Sequence, residues 1–422
     1  MEFRDDWYLT SAMADGAIAD LQDHAANHGG KPFFQYLAFT APHFPLHALP
    51  EDIAKYHETY DVGWDVIRGR RWKQMSVMGL LDPQANRRLS AVERELGPPY
   101  HFPTAFEILG DGETNRPSPW NRLTESQQAF QSTKMAIHAA MVHRMDLAIG
   151  RVLEQIRSMS QFENTLIMFL SDNGASAEIM VRGDGHDPEA APGSATTYLC
   201  LGPGWSTTCN TPFRRHKTWT HEGGIATPFI ASWPNEIKDQ GAIRRQPQHV
   251  IDVAATLLEL TGAKPPADAP APPGRSFLDS LFFESLNDAS GSSGADASDQ
   301  RTLWWYHDGH RAIRKGNWKA VSPLGEPWEL YDLSKDRIES TDLALPQADV
   351  LAELTTAWQL QLEESIELTS KGLTAAELQR EANRNHRSGM MWEAQKAGLI
   401  KRTQVLPQSE TFRVKDRHAF LM

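Results

Sequence analysis

Two oxygen-bearing side chains stand side by side where a strand is expected to end. The run Thr165-Leu-Ile-Met-Phe-Leu170 is apolar at every position but the first and does not alternate, which predicts a buried strand; Ser171-Asp172-Asn173-Gly174 stops it. In open α/β sheets ligands bind at the carboxyl ends of strands, so a carboxylate beside an amide there has the chemistry of a metal or anion site. Asp-Asn-Gly is equally ordinary turn chemistry, since each residue tolerates left-handed backbone or bonds its own main chain. The tripeptide alone leaves both readings open.

Two further segments carry groups that could act with it. Phe33 to Phe39 predicts a second buried strand, and it runs into Thr40-Ala-Pro42-His43-Phe-Pro45-Leu-His47. The prolines restrict the backbone around His43 and would hold its imidazole in one direction, although a histidine so placed is also a common packed loop residue. The stretch Thr211-Pro-Phe-Arg214-Arg-His-Lys217-Thr-Trp-Thr-His221-Glu222-Gly223-Gly224 supplies a cationic cluster just before a predicted strand, Ile225 to Trp233. Basic runs usually form solvated faces. Here the neighbouring Gly-Gly turn and apolar run make an inward-pointing Lys217 the expectation.

The elements that would position these groups alternate along the chain. Helix is predicted from about Thr10 to Ala26, and residues 50 to 122 read as irregular with scattered short helices and the stretch Gly97-Pro-Pro-Tyr-His-Phe-Pro103. A long helix then opens on Thr124-Glu-Ser-Gln127, the spacing of a capping box, with Met141, Met145, Ile149, Val152 and Ile156 sharing one face as core. After the strand ending at Asp172 comes a Gly/Pro/Ser-rich loop from 174 to 215, and His249 to Leu260 forms a helix stopped by Gly262. Linker composition marks Lys264 to Pro273 and Asn287 to Asp296. Beyond them, Leu303-Trp-Trp-Tyr306, Arg311-Ala-Ile-Arg314, Trp318-Lys-Ala-Val321 and Trp328-Glu-Leu-Tyr-Asp332 read as a small antiparallel sheet, followed by helix from Gln347 to Leu368. His307-Asp308-Gly309-His310 imitates a metal cluster but reads as a turn.

Composition narrows the function classes. The 422 residues suffice for one large or two moderate domains, and 40% hydrophobic with 23% charged residues are globular values. A net charge of −12 argues against nucleic acid as partner, because no basic surplus exists to displace phosphate counterions, yet a local pocket field could still accept an anionic small molecule. Cys200 and Cys209 are too few for a disulfide framework. No stretch approaches a membrane span, and the amino terminus does not read as a secretion signal.

Together the motifs resemble the sulfatases, arylsulfatase branch, of the alkaline-phosphatase superfamily. The resemblance rests on Phe-Thr-Ala-Pro-His43-Phe-Pro-Leu-His, Leu-Ser-Asp172-Asn173-Gly-Ala-Ser and Lys217-x4-Glu222-Gly-Gly-Ile-Ala-Thr-Pro. His249-Val-Ile-Asp252, Arg311-Ala-Ile-Arg-Lys-Gly-Asn-Trp-Lys319 and Pro327-Trp-Glu-Leu-Tyr-Asp-Leu333 support it, and it covers most of residues 3 to 365. It implies an α/β/α sandwich, incomplete at its N-terminal side, with a small antiparallel C-terminal subdomain. It implies Asp172 and Asn173 as ligands of a divalent metal, calcium or magnesium, His43 as the histidine touching the sulfate ester, and Lys217 as the lysine holding a sulfate oxygen. His221, Arg214 and His307 are implied as further substrate contacts. The implied reaction is hydrolysis of a sulfate monoester, on a small molecule or a carbohydrate, by a formylglycine nucleophile.

The sequence departs from that pattern in two respects. It contains no Cys- or Ser-x-Pro-x-Arg from which formylglycine is made; Cys209-Asn-Thr-Pro212-Phe-Arg214 has its proline and arginine one place too late. The family's first metal-binding aspartate pair is missing too, since Asp5-Asp6 follows no apolar strand and reads as helix-entry acid. The expectation is that Met1 matches an internal position of the family. Residues 1–263 then form the C-terminal portion of the catalytic domain, 264–300 a linker region, 301–370 the sheet-and-helix subdomain, and 371–422 a polar tail. Weak metal binding and an aggregation-prone chain are expected. A catalytically inactive remnant and a related phosphomonoester or phosphonate hydrolase are the alternative readings; Lys217 and the C-terminal sheet argue against the latter. Oligomeric state, compartment and the particular ester are not legible.

Overall fold

The computed structural model describes residues 7–81, 103–182, 185–266, 272–282 and 301–370. The Asp5-Asp6 pair, most of the Pro-rich 97–103 stretch, most of the two linkers and the 371–422 tail lie outside the described residues.

Helix α1 (Leu9–Asn27) packs on the long helix α3 (Glu125–Ser158), burying Ala14, Ala17 and Leu21 against Ala148, Val152 and Ile156. Small alanines at the crossing let the two helices approach closely, and the aliphatic side chains on either side exclude water. α3 begins with the expected capping box: Thr124 Oγ1 accepts from Gln127 N at 3.2 Å and Gln127 Oε1 accepts from Thr124 N at 3.1 Å. Of its predicted core face, Met141, Val152 and Ile156 are buried, whereas Met145 and Ile149 are half-exposed and line a cleft.

One helix is longer than the scattered short helices expected, and another falls in a part read as loop. Residues Gly63–Val77 form α2 inside the segment expected to be irregular, and Gly202–Cys209 form α4 inside the 174–215 loop. Both are recruited by tertiary packing rather than by local pattern: Trp64 of α2, Trp120 and Trp205 of α4 meet edge-on, with Trp64 4.9 Å from Trp120 and 5.7 Å from Trp205 between ring centres. Their cluster also takes Met135 and Leu201.

The strand ending before Asp172 is present as β1 (Ile167–Leu170) and pairs antiparallel with β2 (Phe229–Ser232), in the register Ile167↔Ser232 through Leu170↔Phe229. β2 is shorter than the expected Ile225–Trp233 strand because Glu222–Ile225 makes a helical turn first. Neither strand is buried as expected. Phe169 is 40% exposed and Ile230 59%; among the described residues only one edge of each strand is paired, and the cleft opens beside β1. Residues 33–39 are extended with a period of two, Phe33, Leu37 and Phe39 packing toward α1 and α3 while Phe34 and Tyr36 are bare, yet they belong to neither sheet. The expected strand is strand-like in shape but has no neighbouring strand among the described residues. α5 (Ile251–Thr261) ends as expected on Gly262, whose φ of 66° is the left-handed cap that glycine adopts without a Cβ clash.

The C-terminal part matches its pattern closely. β3 (Thr302–His307), β4 (His310–Lys315), β5 (Trp318–Ser322) and β6 (Glu329–Asp332) form an antiparallel meander in that order. α6 (Ala348–Ser370) covers one face with Leu354, Trp358 and Leu362 against Ile313, Ala320 and Leu330. Asp252, at the start of α5, ties this sheet to the body. It takes both ends of the Arg301 guanidinium at 2.6 and 2.5 Å, and its own helix entry through His249 N at 2.7 Å.

Candidate active site

His43, Asp172, Asn173 and Lys217 all line one cleft of about 2250 Å³, walled by α1 and α3 on one side and by β1 and α5 on the other. The strand end, the His43 loop and the Lys217 loop, far apart in sequence, therefore converge. Lys217 Nζ lies 3.0 Å from His43 Nε2. An ammonium only donates, so Nε2 must be the lone-pair nitrogen, and the ring proton sits on Nδ1, which donates to Phe44 O at 2.6 Å. The pair thus presents a cation and a neutral imidazole of defined tautomer at one point.

The His43 loop is held from both sides. His43 N donates to Thr40 O, Leu46 N to Leu199 O, and Ala48 N to Gly193 O. The next histidine is structural: His47 Nε2 meets Thr197 O at 2.7 Å and its carbonyl accepts from Tyr8 Oη at 2.8 Å.

The Lys217 loop is pressed against the end of β1 so tightly that glycine is required. A Cβ on Gly174 would lie 1.8 Å from Gly223 O, and one on Gly223 2.1 Å from Arg214 O. Gly174 N donates to Gly224 O at 3.0 Å and Lys217 N to Ala175 O at 3.0 Å, so the segment after Asp172-Asn173 and the lysine share main-chain bonds. The glycine of Asp-Asn-Gly is thus a close-approach residue as well as a turn former. Asn210 clips the same junction, its Oδ1 accepting from Ala175 N at 2.7 Å and its Nδ2 donating to Ala175 O and Arg215 O. Sequence reasoning missed Asn210. Its position at the end of α4, before Thr211-Pro212, was the available signal.

The remaining implied contacts fall elsewhere. Arg214 and His221 do not line the cleft. Arg214 Nη1 donates to Tyr331 Oη at 2.8 Å and Glu339 O at 2.5 Å, and His221 Nε2 meets Glu329 Oε2 at 3.1 Å. Both side chains are consumed in docking the loop to the C-terminal sheet. Burial lowers the His221 imidazole, with the Glu329 contact opposing it. His307 is exposed at the β3–β4 turn, its Nδ1 donating to Thr218 O at 3.2 Å, so it borders the lysine loop from outside. Glu222 is buried against Lys319 at 2.9 Å and Arg337 at 3.2 Å. Burial pushes its carboxyl upward, but the two cations overcome that and hold it down at about 2.

No set of three or more metal-ligating side chains occurs among the described residues. Asp172 and Asn173 nevertheless fit part of a hard-cation site. No bond to another residue engages the carboxylate or the amide side chain among the described residues, and both front the cleft from a strand end. Carboxylate and amide oxygens are the donors that calcium and magnesium select.

A strand-end carboxylate and amide thus share one cleft with a loop lysine and histidine. In fold, the crystal structure of Ps i-CgsB superposes with a TM-score of 0.51 at 19% identity, over 88% of this chain and 57% of that one. The Sulfatase family profile matches residues 2–263, and the profile for the C-terminal part of N-sulphoglucosamine sulphohydrolase matches residues 214–367. The chain belongs to the sulfatase family. It is 30% identical to an uncharacterized sulfatase of Schizosaccharomyces pombe over 381 residues, 83% of this chain and 61% of that protein. It is 30% identical to an arylsulfatase of Klebsiella aerogenes over 275 residues, 62% of this chain and 52% of that enzyme. It therefore spans about half to three-fifths of the length of these relatives.

Proposed function

We propose that this polypeptide is the part of a sulfuric ester hydrolase that binds and orients the sulfate group. The observation that carries the reading is the Lys217–His43 pair, 3.0 Å apart, in the cleft that Asp172 and Asn173 also line. A sulfate monoester brings a fixed negative charge and oxygens that only accept. Lys217 supplies a matching charge-assisted donor. His43, with its proton on Nδ1 and its Nε2 beside the ammonium, can take a second proton from solvent on Nε2 and give it to the departing oxygen, while Lys217 stays charged on the sulfate. Sugar alkoxides, as poor leaving groups, gain more from that proton than phenoxides do, and the relatives named as sulfatase and arylsulfatase support the class.

Asp172 and Asn173 would hold a calcium or magnesium ion together with ligands from outside this chain. Such an ion supplies charge neutralisation of the sulfate oxygens. The 422 residues contain no Cys- or Ser-x-Pro-x-Arg, so the formylglycine nucleophile has to be contributed by polypeptide outside them. The cleft has the walls to receive it: the period-two segment 33–39, without a strand partner among the described residues, on one side and β1 on the other are what added strands would pair with and cover.

The test is to extend the reading frame upstream of the Met1 codon and assay the longer product. An in-frame Cys- or Ser-x-Pro-x-Arg is expected, and the product should hydrolyse 4-nitrophenyl sulfate. Lys217→Ala and His43→Ala should each lower its kcat by about 10²–10⁴-fold. A frame without the motif, or variants that turn over like the parent, would overturn the proposal.

A further inference from the structure

Among the described residues, Arg215 is a buried cation of the lysine loop with no acidic partner. It is 6% exposed, and its Nε and Nη1 are buried without a hydrogen-bond partner. Its neighbour Arg214 takes Tyr331, the Glu339 carbonyl and, at 3.6 Å, Glu329. Among the described residues, none of the ion pairs involves Arg215. The backbone leaves it little freedom to turn away. Its φ of 64° lies in the left-handed region, which a long side chain seldom adopts, and its carbonyl is pinned by Asn210 Nδ2 at 3.2 Å.

The histidines that sense the charge of Arg215 do not neutralise it. His310, 8% exposed on β4, accepts from Leu324 N at its Nδ1 (3.2 Å), so its Nε2 carries the proton and is a donor. Burial first, and then the charges of His221, His307 and Arg215, push the His310 imidazole down to about 4. His216 is lowered to about 3 by burial, with Arg215 and Arg68 adding to it. Thr220 Oγ1 in the same loop is buried and unpartnered. His221 Nδ1 is unpartnered too, but with its Nε2 on Glu329 it is an acceptor and contributes nothing to holding a negative charge. A guanidinium withdrawn from water with no counter-charge is strongly unfavourable, and structures offset that by pairing.

We propose that a small inorganic anion, halide or tetrahedral oxyanion, binds Arg215 between the lysine loop and the β3–β4 hairpin, as its counter-ion. The site is separate from the ester cleft, which neither Arg215 nor His310 lines. It lies two residues from Lys217 along the chain, so its occupancy would set the charge behind the catalytic lysine. The anion there would act as a fixed part of the loop and not as substrate.

Bromide is the probe. Crystals of the full chain, grown without sulfate, phosphate or chloride and soaked in sodium bromide, should show an anomalous peak within hydrogen-bond reach of Arg215 Nε or Nη1. No peak there, or density for water alone, overturns the proposal. In solution, the His310 titration followed by the NMR of its ring protons should move upward when bromide replaces a bulky organic anion at constant ionic strength. The shift should vanish in Arg215→Met; an unmoved titration, or one that moves equally in the variant, overturns it as well. If the variant does not fold, the anomalous map of the parent decides alone. Loss of the bromide signal when inorganic sulfate is added identifies an oxyanion as the preferred occupant, and its persistence identifies a halide. Either result keeps the site.

Discussion

Replacing Lys319 by methionine should unhinge the lysine loop from the C-terminal sheet. Lys319 is wholly buried, with Glu222 Oε1 at 2.9 Å and Glu339 Oε1 at 2.7 Å. Its volume is kept by methionine, so the loss is electrostatic. The two carboxylates would fare differently. Glu222 retains the Arg337 guanidinium at 3.2 Å, a partner that is itself half-exposed. Among the described residues the Glu339 carboxylate keeps the Glu222 N–H, at 2.9 Å on Oε2, and the through-space charge of Arg214, but no ion pair; its Oε1 has Lys319 as an ion-pair partner and no directed hydrogen bond. Glu339 is thus the stranded charge. Removing one partner of a buried pair costs roughly 3–5 kcal/mol, because the other is left charged in a low dielectric. With a urea m-value of about 2–3 kcal/mol/M, the midpoint should fall by about 1–2 M. The assay is urea unfolding followed by tryptophan fluorescence, which senses Trp318 and Trp328 beside the latch. Adding Glu339→Gln to Lys319→Met removes the stranded charge and should restore most of the midpoint. A Lys319→Met midpoint within about 0.3 M of the parent, or a double variant no better than the single, would refute the assignment of this lysine as the latch.

Acidification should destabilise the chain in two stages. Burial holds His138 at about 4, and burial with neighbouring positive charge holds His216 at about 3 and His310 at about 4, so the unfolded chain binds these protons first and stability falls as pH drops from about 6.5 toward those values. Glu222 and Glu329 are held at about 2 against the upward push of burial, by Lys319 and Arg337 and by His221 with Tyr331 respectively. Their contribution is complete above about pH 4.5 and is lost between there and about 2, so melting curves flat from pH 7 to 4 would contradict the histidine stage. With only two oxygen side chains in place, calcium should bind the chain alone more weakly than about 1 mM by calorimetry, and sub-micromolar binding would show that other residues complete the site. Phe34 and Tyr36 are 76% and 83% exposed on a segment that pairs with no strand among the described residues, so Phe34→Lys with Tyr36→Glu should reduce self-association measured by light scattering.

The sequence was most legible where pattern and packing coincide. The capping box at Thr124, the glycine stop at Gly262 and the four strands from Thr302 to Asp332 are local signals that the fold obeys. α2 and α4 were not legible, because Trp64 and Trp205 acquire their reason for burial only from each other and from Trp120. The strand at 33–39 failed in an informative way. Its two-residue alternation is real, with Phe33, Leu37 and Phe39 packed and Phe34 and Tyr36 bare, but a strand is defined by its neighbours and none of the described residues supplies one. At the site, the resemblance implied that His43 and Lys217 act together, and their side chains lie 3.0 Å apart; the residues read singly did not pair them. They could not show that Arg214 and His221, in the same motif, face the opposite way.

That opposite facing is what makes the lysine usable. Between Arg214 and Glu222 the loop has two non-glycine residues in the left-handed region, Arg215 at 64° and Thr218 at 87°, on either side of Lys217. Such backbone is costly by roughly 1–3 kcal/mol per residue and persists only when its surroundings over-determine it. The surroundings here are two clamps from the C-terminal sheet, Arg214 on Tyr331 and the Glu339 carbonyl at one end and Glu222 on Lys319, Arg337 and Glu339 N-capping contacts at the other. Gly174 and Gly223 allow the β1 end to close on the third side. A lysine on a relaxed loop would spend its ammonium on water. Held by both flanks, its only free dimension is its side chain, which reaches His43. The small antiparallel sheet is therefore part of the sulfate-binding apparatus proposed here, although none of its strands contributes a group to the cleft.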